Sequence, residues 1–232
     1  MIEPAPLPER LVEGYQSFLS ASFAREQTRF KELAETGQKP RIMLIGCCDS
    51  RVSPEVIFDA RPGELFVVRN VANIAPPYAP NDDYHGTSAA LEFAVMGLRV
   101  EHIVVMGHGR CGGVRAYAEG ELDPYQRPLS PGDFIGKWMT LIEPAAHNTP
   151  MLPDEDIGLY SERLAEASVR QSLTNLRTFP CVKTLEEKGR LALHGAFFDV
   201  MSGKLRAMDP ATGAFNPIAA ESHAAALSHP RF

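Results

Sequence analysis

The chain has 232 residues, of which 44% are hydrophobic and 22% charged, and its 23 basic and 29 acidic side chains leave a formal net charge of −6. That composition belongs to a globular protein able to bury a sizeable core, and an acidic balance without a basic stripe excludes a nucleic-acid binder. No uncharged apolar run reaches the roughly 18 residues of a membrane span, and residues 1–8 lack the basic and apolar regions of a signal peptide, so a cytoplasmic location is expected.

Residues 9–36 carry Leu11, Tyr15, Phe18, Leu19, Phe23, Phe30 and Leu33 near i, i+4, i+7 spacing. This predicts a long amphipathic helix stopped at Gly37. An aromatic stripe of that size has to pack, on its own domain or on a second subunit. Strand 41–47, strand 64–69, helix 87–99, strand 102–107 and helix 112–119 follow, an alternation that implies parallel βαβ units. Helical patterns resume over 134–147 and over 156–178, the latter with Ile157, Tyr160, Leu164, Leu173 and Leu176 on one stripe. Residues 191–200, the turn 201–204 and residues 205–208 read as strand, turn and strand, a hairpin closing one sheet edge. From Pro210 the chain is rich in Ala, Pro and His and reads as loosely ordered. The expected fold is one α/β domain with a mostly parallel central sheet, an antiparallel edge hairpin, a long N-terminal helix and additional C-terminal helices. Its parts would be a helical arm 1–36, a core 37–208 and a tail 209–232.

Chemistry concentrates after two of these strands. Cys47-Cys48-Asp49-Ser50-Arg51 follows the first, and His108-Gly109-Arg110-Cys111-Gly112-Gly113 follows the third. Four cysteines in a cytoplasmic chain are better read as ligands than as a disulfide framework. Soft thiolates plus an imidazole suit Zn²⁺, and three protein ligands with a free fourth position make a catalytic site. Cys47, His108 and Cys111 meet that description, because the carboxyl ends of neighbouring parallel strands converge. Cys48 and Cys181 are read as core residues. Asp49 has three readings: a cap on the following short helix, a further metal ligand, or a partner for Arg51.

Residues 107–112 also fit G-x-G-x-x-G, the dinucleotide fingerprint, but no second strand ending in an acidic residue follows about 20 positions on. The remaining histidines, His102 and His194 among them, lack spacing to any other ligand type. Only His85, with Tyr84, is kept as a candidate proton carrier at a pocket mouth.

Together, Cys47-x-Asp49-Ser50-Arg51, Arg69-Asn70-Val71-Ala72-Asn73 and His108-x-x-Cys111-Gly112-Gly113 resemble the β-class carbonic anhydrases. Residues 68–78, 86–95 and 169–180 are similar to the plant-type branch, and the resemblance covers roughly residues 37–208. It implies reversible hydration of CO₂ to bicarbonate and a proton by attack of zinc-bound hydroxide, with one Zn²⁺ per chain. Cys47, His108 and Cys111 would be the ligands and Asp49 and Arg51 the catalytic dyad, Asp49 reaching the metal only in a closed state. Gln38 would donate to the substrate, and Phe66, Val71, Phe93 and Gly112 would form its apolar pocket. Phe93 stands where plant-type members often have Tyr, and Leu44 where bicarbonate-inhibited bacterial members have Trp. The implied partners are CO₂ and bicarbonate and a second copy of the chain, as a homodimer or larger homo-oligomer, without nucleic acid or membrane. A zinc hydrolase acting on CS₂ or COS, or a non-catalytic zinc-stabilised domain, is the alternative.

Overall fold

The computed structural model describes residues 5–81, 83–122 and 127–218. The apolar runs predicted as strands form β1 (Ile42–Cys47), β2 (Leu65–Asn70), β3 (His102–His108) and β4 (Ala192–Phe198). They lie parallel, and β5 (Leu205–Met208) and β6 (Phe215–Pro217) continue the sheet antiparallel in the order β2-β1-β3-β4-β5-β6.

The last strand corrects the expectation of a loose tail from Pro210. β6 pairs Asn216 with Ala207, and its Phe215 is buried with its ring 5.9 Å from that of Phe197. One aromatic anchor ties down a segment whose composition alone suggests disorder. The rest of the expected tail, residues 219–232, lies outside the described residues.

The N-terminal helix forms as α1 (Glu9–Phe18) and α2 (Ala24–Thr36), joined by a π turn over Leu19–Phe23. Phe18 and Phe30 bring their ring centroids within 6.0 Å. Twelve residues of straight helix would separate their backbones by about 18 Å, so the π turn bends the helix. Gly37, at φ +80°, ends it in a conformation that suits glycine. Among its described residues not one of Glu9–Thr36 is buried, and Leu11 and Tyr15 are each 59% exposed.

The other helices are α3 (Pro54–Ile57), α4 (Gly86–Glu92) with a π continuation Phe93–Leu98, α5 (Gly112–Leu122), α6 (Phe134–Met139), α7 (Glu143–His147), α8 (Ile157–Leu176) and α9 (Pro180–Glu187). Proline opens both α3 and α9, where its missing N–H costs nothing.

α8 is the central helix. Asp156 caps it by accepting from the Gly158 N–H at 2.8 Å. Ala165, Ser168, Val169, Ser172, Leu173 and Leu176 make a buried stripe at i, i+3, i+4, i+7 spacing. Two glycines in the sheet let this stripe lie close. A Cβ on Gly107 would stand 2.7 Å from one Val169 methyl, and one on Gly195 would stand 3.3 Å from the other. Strand alternation sorts the rest: Met43, Ile45, Ile103 and Val105 join the core with α8, whereas Leu44, Met106 and Ala196 pack on the opposite face.

Gly107→Ala should therefore lower unfolding stability by about 1–3 kcal/mol through overpacking. Gly86→Ala, whose Cβ would meet nothing within 4 Å, should stay within about 0.5 kcal/mol. Denaturant titration at one protein concentration checks both.

Candidate metal centre

β1 and β3 are neighbours with Ile45 beside Val105, so Cys47 and His108 emerge at nearly the same level of the sheet. Cys111 lies three residues beyond His108, immediately before α5. A Cys47 Sγ, a His108 ring nitrogen and the Cys111 Sγ all lie within 4.8 Å of one another, and all three residues are buried. One four-coordinate Zn²⁺ can bridge that spacing.

The imidazole identifies which nitrogen is free. His108 Nδ1–H donates to the Gly109 carbonyl at 3.0 Å. This fixes the tautomer, as metal-ligating histidines do. Its Nε2 is the single fully buried side-chain N or O atom without a hydrogen-bond partner among the described residues. A partnerless polar atom in a protein interior costs about 1–3 kcal/mol; a cation between it and two sulfurs removes that penalty.

The two thiols behave as one unit. The Cys47 thiol is pushed well below the usual thiol range, first by a hydrogen bond from Cys111, then by the backbone N–H groups of Asp49 and Ala72. Cys111 is pushed up, by the negative Cys47 first and by burial second. The pair thus gives up one proton easily and holds the other until a positive charge arrives.

Asp49 takes the third of its sequence readings. Its Oδ1 accepts from the Arg51 N–H at 3.0 Å and from Arg51 Nε at 2.9 Å, while its Oδ2 accepts from the second guanidinium arm at 2.6 Å. This bidentate partner is the main reason the carboxyl sits far below the usual carboxylate range. The cap of α3 falls to Ser53, whose side chain makes no capping bond.

Sequence reasoning gave no role to the residues that hold this site together. Arg69 Nε donates to the Cys47 carbonyl at 2.7 Å and its guanidinium also reaches the Asp49 carbonyl at 2.6 Å. The Asn70 side chain bridges Ile74, donating to its carbonyl and accepting from its N–H, each at 2.8 Å. That clasp closes a loop in which Ala72 and Asn73 hold positive φ, and Arg110, between two ligands, does so as well. Such backbone costs of order 1–3 kcal/mol per residue and collects at functional sites. Here it aims the Ala72 N–H at the Cys47 sulfur. The only signal in the sequence was the Arg69–Asn73 run itself.

The other predicted positions divide by strand level. Val71 packs against Gly113, Gly112 faces open space, and Trp138 donates to the Val71 carbonyl at 2.8 Å. Val71, Tyr84 and His85 border a cleft of about 660 Å³. Phe66 and Phe93 pack together at 5.8 Å, but Phe66 pairs with Met43, four residues below Cys47. At about 3.3 Å per residue that is some 13 Å down the sheet. Gln38 is exposed and precedes β1, at the strand end opposite Cys47. The fold does not bring Gln38, Phe66 or Phe93 to the cluster of its own chain. Cys48 is exposed and so is not a core residue, whereas Cys181 is half-buried and packs against the edge of the core. For Cys48 the cause is alternation, which turns it to the face away from α8.

A family model described as carbonic anhydrase matches residues 42–205. Carbonic anhydrase 1 of Escherichia coli O157:H7 is 36% identical over 219 residues, 94% of this chain and 96% of that protein. The solved β-carbonic anhydrase CcaA is 31% identical with a TM-score of 0.78, covering 92% of each chain. A structure of two tetrameric β-carbonic anhydrases from Sordaria macrospora is 28% identical with a TM-score of 0.71, covering 86% of this chain and 95% of that one.

The purified protein should carry about one tightly held zinc per chain, measured by elemental analysis. His108→Ala or Cys111→Ala should lose it, because the two ligands left are one short of the three that hold a catalytic zinc.

Proposed function

Because this chain belongs to the β-carbonic anhydrase family, we infer that its buried cluster is the seat of zinc-dependent, reversible hydration of CO₂ to bicarbonate and a proton. The observation that carries this reading is the unpartnered Nε2 of His108 beside two buried sulfurs. Cys47, His108 and Cys111 hold the metal. Bound there, Zn²⁺ supplies a Lewis acid that makes water nucleophilic near neutral pH.

Around it each side chain has one task. Asp49 accepts a hydrogen bond from the attacking water and so turns its lone pair toward CO₂. Arg51 keeps that carboxylate ionised and aimed, by the two-pronged contact described above. Val71 and the open backbone at Gly112 border the space for an apolar substrate. A closed, purely structural zinc site would need Asp49 as fourth ligand, and the Arg51 contacts to both of its oxygens disfavour it. Hydrolysis of CS₂ or COS would use the same ligands; the activity named for the relatives favours CO₂. Leu44, buried at the position of the inhibitory branch's Trp, supports a plant-type assignment.

The working unit is a homodimer or a larger assembly. The uncovered stripe of Leu11, Tyr15 and Phe18 needs an apolar partner. A groove of about 490 Å³ bordered by Leu44, Phe58, Leu65 and Val104 is available on a second copy. Gln38, Phe66 and Phe93 can serve a pocket only on such a copy, and solved relatives include tetramers. Among the described residues no helix is long and apolar enough to cross a membrane. Free thiols at the metal centre favour a reducing compartment such as the cytoplasm.

Stopped-flow hydration of CO₂ by the zinc-loaded protein tests the activity; a zinc-free Cys111→Ala protein of full activity would refute it. Asp49→Ala should keep zinc and slow hydration roughly 10²-fold. Arg51→Ala should slow it as well, and the double variant should lose little more than the worse single one, since the two act as a unit. Strictly additive losses would separate their roles. Light scattering should find no monomer at micromolar concentration for the intact chain, and removal of residues 1–36 should shift the population toward smaller species.

A further inference from the structure

His102 and His194 are 92 positions apart, with no motif spacing to join them. The parallel ladder brings them together. His102 pairs with Ala192 and Val104 with His194, so the two histidines stand two residues apart on adjacent strands. Both fall on the face of the sheet away from α8, by the same alternation that places Val104 and Met106 there. His102 Nδ1 lies 3.2 Å from His194 Nε2, with the rings tilted by 55°.

That spacing has a chemical meaning. Two ring nitrogens each about 2.0–2.1 Å from one ion, at the tetrahedral angle, stand about 3.3 Å apart. A hydrogen bond from one neutral ring to the other occupies the same geometry. To exchange that hydrogen bond for an ion, the donating ring need only move its proton to its other nitrogen. His102 sits between β1 and β4, and His194 is held against β3 by the parallel ladder, so the pair is preorganised.

We propose that His102 and His194 form a second metal site, a two-imidazole seat for a borderline divalent transition ion such as Zn²⁺ or Ni²⁺. Imidazole pairs select that class of ion over Mg²⁺ or Ca²⁺. His194 is exposed at its residue surface, which leaves room for water to complete the coordination. Burial of its ring, and then the proximity of His102, hold His194 toward its neutral, ligating form. Glu101 is close enough to His102 to feel its charge, but both of its oxygens are engaged by Arg41, so it is not a ligand. Six residues of β3 separate His102 from His108, about 20 Å. The two sites are therefore distinct and not a bridged pair, whose ions sit about 3.5–4 Å apart.

The test is equilibrium dialysis of the zinc-loaded protein against Ni²⁺, with nickel and zinc counted on the same samples. The wild type should take up one more Ni²⁺ per chain than either His102→Ala or His194→Ala, with its first zinc retained in all three. His147→Ala, an exposed solitary histidine, should match the wild type. Ring signals of His102 and His194 in histidine-labelled wild type should broaden together as Ni²⁺ is added, a readout that needs no variant. Equal nickel uptake by wild type and His194→Ala, or ring signals that stay sharp while nickel binds elsewhere, would overturn the site.

Discussion

The constraint on which the rest of the structure turns is the burial of one imidazole between two thiols. His108 gives its Nδ1 proton to the next residue's carbonyl, leaving a nitrogen lone pair with no protein donor. Cys47 and Cys111 repel a second negative charge. Each feature is unfavourable in a folded protein by itself. Together they form a donor set that a soft dication satisfies at once, so the unfavourable parts are stabilised by the same ligand. The local backbone is arranged for this end. Positive φ at Ala72, Asn73 and Arg110 is strain that only the surrounding clasp, with the Asn70 amide at its centre, can hold in place.

A second layer of the site concerns direction more than affinity. Asp49 could bind a metal, cap a helix or pair with an arginine, and proximity in sequence favours none of these. Two guanidinium contacts and a backbone N–H decide it. Arg69 works from the other side, fixing the carbonyls of Cys47 and Asp49 and so the path of the chain between them. One arginine orients a side chain and the other orients the backbone that carries it. A carboxylate held this way stays ionised well below the usual carboxylate range.

The sheet has two working ends. Its carboxyl end carries the cluster and the dyad; its amino end carries Gln38 and the His102–His194 pair, with Phe66 and Phe93 along the edge. Within one chain these groups are too far down the strands to share a pocket with Cys47. Helices α1 and α2, without a single buried residue, and an apolar groove on the face away from α8 are the two surfaces on which the proposed assembly rests. On that proposal, packing of the arm and completion of the pocket would be one event, driven by apolar burial.

Period and ligand chemistry made much of this legible in advance. Apolar runs of strand length, alternating with helical stripes, determined the parallel core, because burial on both faces leaves no polar alternative. Two thiols and an imidazole placed at strand ends determined the metal, because few other ions suit that donor set. What sequence left open depended on contacts between residues distant in the chain. The strand recruited by Phe215, the exposure of Cys48 and the meeting of His102 with His194 all depend on register and on which face a neighbour covers. Those are properties of packed strands, in which one residue of shift reverses every side chain. Composition and spacing along a single segment therefore carry no trace of them, and only the tertiary structure decided them.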